Sequence, residues 1–179
     1  MNPRVFRNIE LCLGTHFVTD CLASGENTLC DNFITRTAGD GSPLVNFFTF
    51  TSIRGPLWIF PPKSVADLTA VHVVKYFATT PFAFILHRFQ EWPSAFTVLR
   101  KIDTVVPIRL STKEDPATAV PVPKRNEECW HPYMKPNRKP YETYALLNIP
   151  RAVTPRVRPA PFSSLQQWLA ATADTYYDS

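Results

Sequence analysis

Apolar and polar positions along this chain follow two periods, and each change of period marks an element. Val5, Ile9, Cys12 and Leu13 recur at helical spacing and predict a short first helix from Asn2 to about Leu13. Phe17-Val18-Thr19 predicts a buried strand that ends at Asp20, followed by a polar loop rich in Gly, Asn and Asp. Leu57-Trp58-Ile59-Phe60 predicts a second strand, stopped by Pro61-Pro62. Ser64, with Asp67 three residues on, reads as a capping-box start. Val65, Leu68, Val71, Val74 and Phe77 then form the apolar stripe expected of a helix.

The run Phe82-Ala83-Phe84-Ile85-Leu86 is apolar without interruption, as in a strand buried on both faces. Thr104 to Leu110, broken by Pro107, and Tyr141 to Asn148 supply two later strands. Ser163 and Gln166 predict a second capping box, opening a short helix with Leu165, Trp168 and Leu169 on one face. Strand, helix, strand with apolar strands throughout predicts an α/β domain, a parallel or mixed sheet flanked by helices. The expected organisation is one domain over residues 1–149 and a C-terminal extension over 150–179, Pro/Arg-rich as far as Ser163.

Composition sharpens this outline at one point. Among 179 residues, 45% are hydrophobic, enough for a core without covalent staples, yet 18 are proline and only 5 glycine. Proline donates no ladder hydrogen bond and seldom sits inside a helix, so this count implies long irregular segments that another surface helps to order. The expected partners are therefore other protein subunits of a large assembly. Cys12, Cys21, Cys30 and Cys129 include no Cys-x-x-Cys pair and no histidine set that completes a zinc pattern. No metal site is expected, and buried thiols in a reducing compartment are. The first thirty residues show no secretory signal, and no stretch reaches membrane-spanning length, so the protein is expected to be intracellular with no membrane partner.

The net charge of +4 is unevenly spread. Residues 120–160 hold Lys124, Arg125, Lys135, Arg138, Lys139, Arg151, Arg156 and Arg158 against three glutamates. Trp130, His131, Tyr133, Tyr141 and Tyr144 are interleaved with these charges. Basic groups for phosphates and rings for bases make an RNA-binding surface; a solvated loop face with aromatics in the core accounts for the pattern equally well.

Two segments carry chemical information. Asp20, with Ala23, Ser24 and Asn27 after it, falls at a strand's C-terminal end, where open α/β sheets bind ligands. An acid there holds a ribose hydroxyl or an amino group, or simply caps a turn. Phe60-Pro61-Pro62-Lys63 stands at the next strand end. A third piece, Phe82 to Leu86 with Glu91-Trp92, is an apolar strand and its following loop.

Together with Gly41-Ser42, Phe48-Thr49-Phe50, Gly55-Pro56-Leu57 and Tyr141 to Asn148, these pieces resemble, in order, the adenine-N6 methyltransferases of the phosphorylated-CTD-interacting-factor type. The outline is also similar to phage-type Dam methylases and to methylase-like segments of some retroelements. The likeness covers about residues 3–148 and implies a Rossmann-like methyltransferase sheet flanked by helices. It further implies an ancestral S-adenosylmethionine site at Asp20, Ala23, Ser24 and Asn27.

The family places Asn/Asp-Pro-Pro-aromatic at the second strand end. There the polar side chain and a proline carbonyl accept hydrogen bonds from the target amine, and the ring stacks on the base. Here Phe60 replaces the acceptor and Lys63 the ring, so Phe60, Pro61, Pro62 and Lys63 form a degenerate motif with no catalytic residue. Losing the acceptor removes positioning that is worth several kcal/mol of barrier, and a lysine brings positive charge towards a sulfonium donor.

The expected function is a pseudo-methyltransferase without cofactor, serving as a structural or RNA-contacting subunit of a large ribonucleoprotein. An organellar ribosome or its assembly intermediate fits by analogy, since these recruit decayed methyltransferases; that, with Arg4 and Arg7 ahead of the first acid, points to the mitochondrion. The alternative is an active S-adenosylmethionine-dependent enzyme on RNA or DNA, with another residue such as Asp67 or Glu91 holding the amine. A metal-dependent nuclease needs converging carboxylates, whereas Glu10, Asp20, Glu26, Asp31 and Asp40 are scattered.

Overall fold

A computed structural model describes residues 2–39, 41–111 and 141–178. The first helix, α1 (Pro3–Leu13), starts where Asn2 caps the Arg4 N–H and proline occupies the first turn. It ends at Gly14, whose φ of 71° supplies the left-handed residue that closes a helix. Its buried stripe of Val5, Phe6, Ile9, Cys12 and Leu13 packs on one face of the sheet.

Six strands form that sheet: β1 (Thr19–Asp20), β2 (Asn32–Phe33), β3 (Leu57–Ile59), β4 (Phe82–Arg88), β5 (Val105–Ser111) and β6 (Glu142–Asn148). Their order is β2-β1-β3-β4-β6-β5. The first four run parallel, and β6 is inserted antiparallel between β4 and β5. The chain passes from β1 outward to β2 and then returns past β1 to β3, so its direction of winding reverses between β1 and β3. In open α/β sheets such a reversal opens a crevice at the strands' C-terminal ends.

Alternation along the strands divides the core into two layers. Trp58, Phe60, Ala83, Ile85, Ile108, Ala145 and Leu147 point to the side of α1 and α4 (Leu165–Asp178). Leu57, Ile59, Phe82, Phe84, Leu86, Val105 and Leu146 point to the side of α2 (Ala66–Tyr76) and α3 (Ser94–Leu99). Helices on both faces explain why the strands read as continuous apolar runs. The architecture is thus α/β with a mixed six-stranded sheet flanked by helices, compatible with a Rossmann-like fold.

Three sequence expectations are corrected. Ser64 caps nothing: a 3-10 turn at Lys63–Val65 follows the prolines and α2 starts at Ala66, with no side-chain cap. Asp67 reaches instead to α3, where its Oδ1 accepts the Ala95 N–H at 2.9 Å. The face of α2 is also different. Thr69, Ala70 and Val73, with Phe77 just beyond the helix, are buried, while Leu68 and Val71 are exposed. The last capping box sits one residue later than expected: Gln167 donates to Ser164 Oγ at 3.1 Å, and Ser164 N–H donates to Gln167 Oε1 at 2.9 Å.

Pro107 does not break β5. The strand lies at the sheet edge, where a missing N–H costs no ladder bond. That edge is covered by the returning chain: Phe162 N–H donates to Pro107 O and Arg109 N–H to Ser163 O. Leu165 and Trp168 enter the same core as α1, and the Trp168 indole donates to Val157 O at 2.7 Å. Residues on both sides of Ile149 therefore share one core.

Candidate functional site

The C-terminal ends of the parallel strands collect Asp20 from β1, Phe60 just past β3, and His87 and Arg88 from β4. Antiparallel β6 begins at the same edge with Glu142, preceded by Tyr141. The two ends that flank the reversal of winding, those of β1 and β3, hold the two segments singled out by sequence.

Asp20 is 4% exposed. Its charge is supported by the backbone amides of Leu22 and Leu29, but burial outweighs them and raises its carboxyl to about 7. Oδ1 is buried with no hydrogen-bond partner among the described residues. A buried acceptor of this kind is costly, and it is the feature by which a ligand hydroxyl or amine would be held.

The other three residues of the expected cofactor set are committed locally. Ala23 N–H donates to Ile34 O at 3.0 Å and extends the pairing of β1 with β2. Asn27 is exposed, and its Oδ1 accepts the Ser24 N–H at 2.8 Å, while Asn27 and Thr28 N–H both return to Ser24 O. Ser24 and Asn27 are two ends of one turn. Of the four, only Asp20 has a buried side-chain atom without a hydrogen-bond partner among the described residues.

Phe60 is 6% exposed and belongs to the α1–α4 side of the core. Its ring meets His87 edge-on at 5.8 Å, and His87 in turn lies 4.9 Å from the Tyr141 ring and bonds Thr143 Oγ1 through Nδ1 at 2.9 Å. Pro61 is buried, and the Pro62 carbonyl already accepts the Val65 N–H. Lys63 Nζ sits 4.3 Å above the Phe89 ring, which packs against Tyr141 at 5.6 Å. Such cation–ring contacts hold an ammonium at an aromatic face. Residues 60–63 therefore present a buried apolar side chain and a ring-bound lysine at this strand end.

As a seat for S-adenosylmethionine the set fits in one place and fails in others. Asp20 offers an acceptor, while the Ser24 N–H and Asn27 Oδ1 are already bonded to each other and Lys63 carries the sulfonium's own sign of charge. Asp67 Oδ1 accepts from the α3 N-terminus, and Glu91 is exposed on the loop after β4. Among the described residues no three His, Cys, Asp or Glu side chains are grouped to hold a metal, and no helix is long and apolar enough to cross a membrane.

Asn148, the polar residue of the last expected strand, lies at the far edge. Its amide donates to Ala78 O and Thr80 O at 2.9 and 2.8 Å, so it anchors the loop before β4. Of the eight expected RNA-binding residues, Arg151, Arg156 and Arg158 are exposed on the segment after β6. Lys124, Arg125, Lys135, Arg138 and Lys139 lie outside the described residues. Searches of protein-family models, of curated proteins and of solved structures each return no match to this chain.

Proposed function

We propose that this protein is a catalytically degenerate methyltransferase-like domain that serves as a structural or RNA-contacting subunit of a large ribonucleoprotein. The observation that carries this proposal is Phe60. At the end of β3, beside the reversal of winding, a side chain that would have to accept hydrogen bonds from the target amine is instead a phenyl ring packed into the core. The adjoining Lys63 is held on Phe89 and offers no flat ring to a base.

The mixed sheet supports descent from a Rossmann-like methyltransferase, and the order of the sequence pieces agrees with it. A setting such as an organellar ribosome, in the mitochondrion, suits a basic, proline-rich chain whose surfaces outlast its chemistry. The second reading, a working S-adenosylmethionine-dependent enzyme on RNA or DNA, is favoured by one observation, the unpaired Oδ1 of buried Asp20.

Methyl transfer separates the two. The protein, incubated with radiolabelled S-adenosylmethionine and adenosine-containing RNA or DNA, is expected to transfer no label above a heat-unfolded control. Labelled N6-methyladenine among the products would make it an enzyme. Restoring the acceptor in Phe60→Asn is not expected to rescue transfer, because Lys63 and the closed Ser24–Asn27 turn remain.

A further inference from the structure

On the α2–α3 side of the sheet, beyond the C-terminal end of β4 that supplies Arg88, five residues from three chain segments converge. Trp92 and Phe96 stack face to face, with centroids 3.9 Å apart and planes 19° from parallel. Phe162 lies 6.0 Å from Trp92 and 6.3 Å from Phe96. Arg88 is 4.8 Å above Trp92, and Arg100 spans Phe96 and Phe162 at 5.6 and 5.7 Å.

Packing alone gives a poor account of Phe162. Its φ is +64°, a left-handed conformation that is an outlier for a bulky residue and that glycine adopts freely. The residue is 48% exposed, so burial repays little of that cost. Strained, exposed residues held by their surroundings are a mark of function. Here the surroundings are the Phe162 N–H bond to Pro107 O and the Ser163 O bond from Arg109, which fix the turn on the β5 edge.

The charges define what the rings face. Glu142 is the acid in contact with the cluster, and it is occupied by the Tyr144 hydroxyl and by Arg88 at 3.9 Å. Arg100 is exposed and has no carboxylate within ion-pair reach among the described residues. A half-exposed ring with a guanidinium over one face matches one ligand chemistry. A base stacks on the ring, and its phosphate meets the arginine.

We infer that Phe162, backed by Trp92 and Phe96 and rimmed by Arg88 and Arg100, is a stacking platform for single-stranded nucleic acid. It rests on the RNA-contacting role proposed above and names a surface for it that the basic run of residues 120–160 does not include.

The test is fluorescence anisotropy of labelled 12-nucleotide oligouridylate, oligothymidylate and a duplex, titrated with the full chain and two variants. Wild type is expected to bind the single strands over the duplex, RNA and DNA arms telling which sugar is preferred. Phe162→Gly is expected to weaken binding about tenfold or more, the scale of one lost base stack, while its thermal midpoint stays level or rises because the strain is gone. Arg100→Gln is expected to weaken binding and to flatten the salt dependence by about one phosphate contact, a slope change of ~0.7. The platform is overturned if both variants bind as wild type does, and the RNA-contacting role with it only if wild type binds no strand at all. Should Phe162→Gly fold poorly, Arg100→Gln alone decides, an unchanged salt slope counting against the platform.

Discussion

Replacing Trp58 by alanine is expected to remove about 3–5 kcal/mol of stability, the largest loss from any single truncation considered in this domain. Trp58 is 2% exposed at the centre of β3, and its backbone carbonyl accepts the Cys21 N–H. Its ring is met edge-on by Phe6 at 4.9 Å and by Phe17 at 5.2 Å, and those two rings lie 5.4 Å apart. Each such pair adds about 0.5–1.5 kcal/mol beyond the area it buries. The triad ties α1 to the strand that leads to Phe60, so its loss would loosen that strand end. Domains of this size have only about 5–15 kcal/mol to lose. Urea unfolding followed by circular dichroism measures the effect. A midpoint within a few tenths molar of wild type would mean that the aromatic triad does not hold α1 to the sheet.

The second large effect is one of pH. Burial raises the Asp20 carboxyl from an ordinary 3.8 to about 7. Between those values the folded protein holds a proton that the unfolded chain has released, so stability falls as pH rises through this window. With about 1.4 kcal/mol per unit, the span from pH 4 to pH 8 costs up to about 4 kcal/mol. Asp20→Asn cannot ionise, so its melting temperature should vary less with pH than that of wild type, and above pH 7 it should exceed wild type. Parallel pH profiles for the two proteins would show that Asp20 is ionised at no cost, its Oδ1 being partnered after all. The same burial, with the Asp20 charge beside them, pushes the Cys21 and Cys30 thiols up and keeps them protonated.

Elements whose signals are local were legible in the sequence. Helix α1 carries its cap, its proline and its closing glycine within thirteen residues, and β4 is a run of apolar residues with no other use than a doubly covered strand. Helix α2 misled for a geometric reason. Val65, Leu68, Val71, Val74 and Phe77 are spaced by three, and each such step turns a helix by about 300°, so the set drifts round the surface and does not hold one face. The buried face uses Thr69 and Ala70, too small or too polar to announce themselves. Asp67 could not be placed because its partner, Ala95, is 28 residues away.

The strand-end site was partly legible. Asp20 and Phe60 were found from strand ends, but the commitment of Asn27 to Ser24 is a turn contact that the motif does not encode. The stacking platform was not legible as a unit. Trp92, Phe96 and Arg100 recur every four residues, a visible hint, yet Arg88 faces them from β4 and Phe162 arrives from a segment more than sixty residues on. Only the sheet brings the three together.

The proposed loss of methyltransferase chemistry is tested most directly by calorimetric titration of S-adenosylmethionine, with S-adenosylhomocysteine as second ligand, into folded protein. The account predicts no heat of binding at millimolar ligand, for wild type and Asp20→Asn alike. Micromolar binding that Asp20→Asn abolishes would contradict it, placing a live cofactor site at the end of β1 and an enzyme where we propose a scaffold.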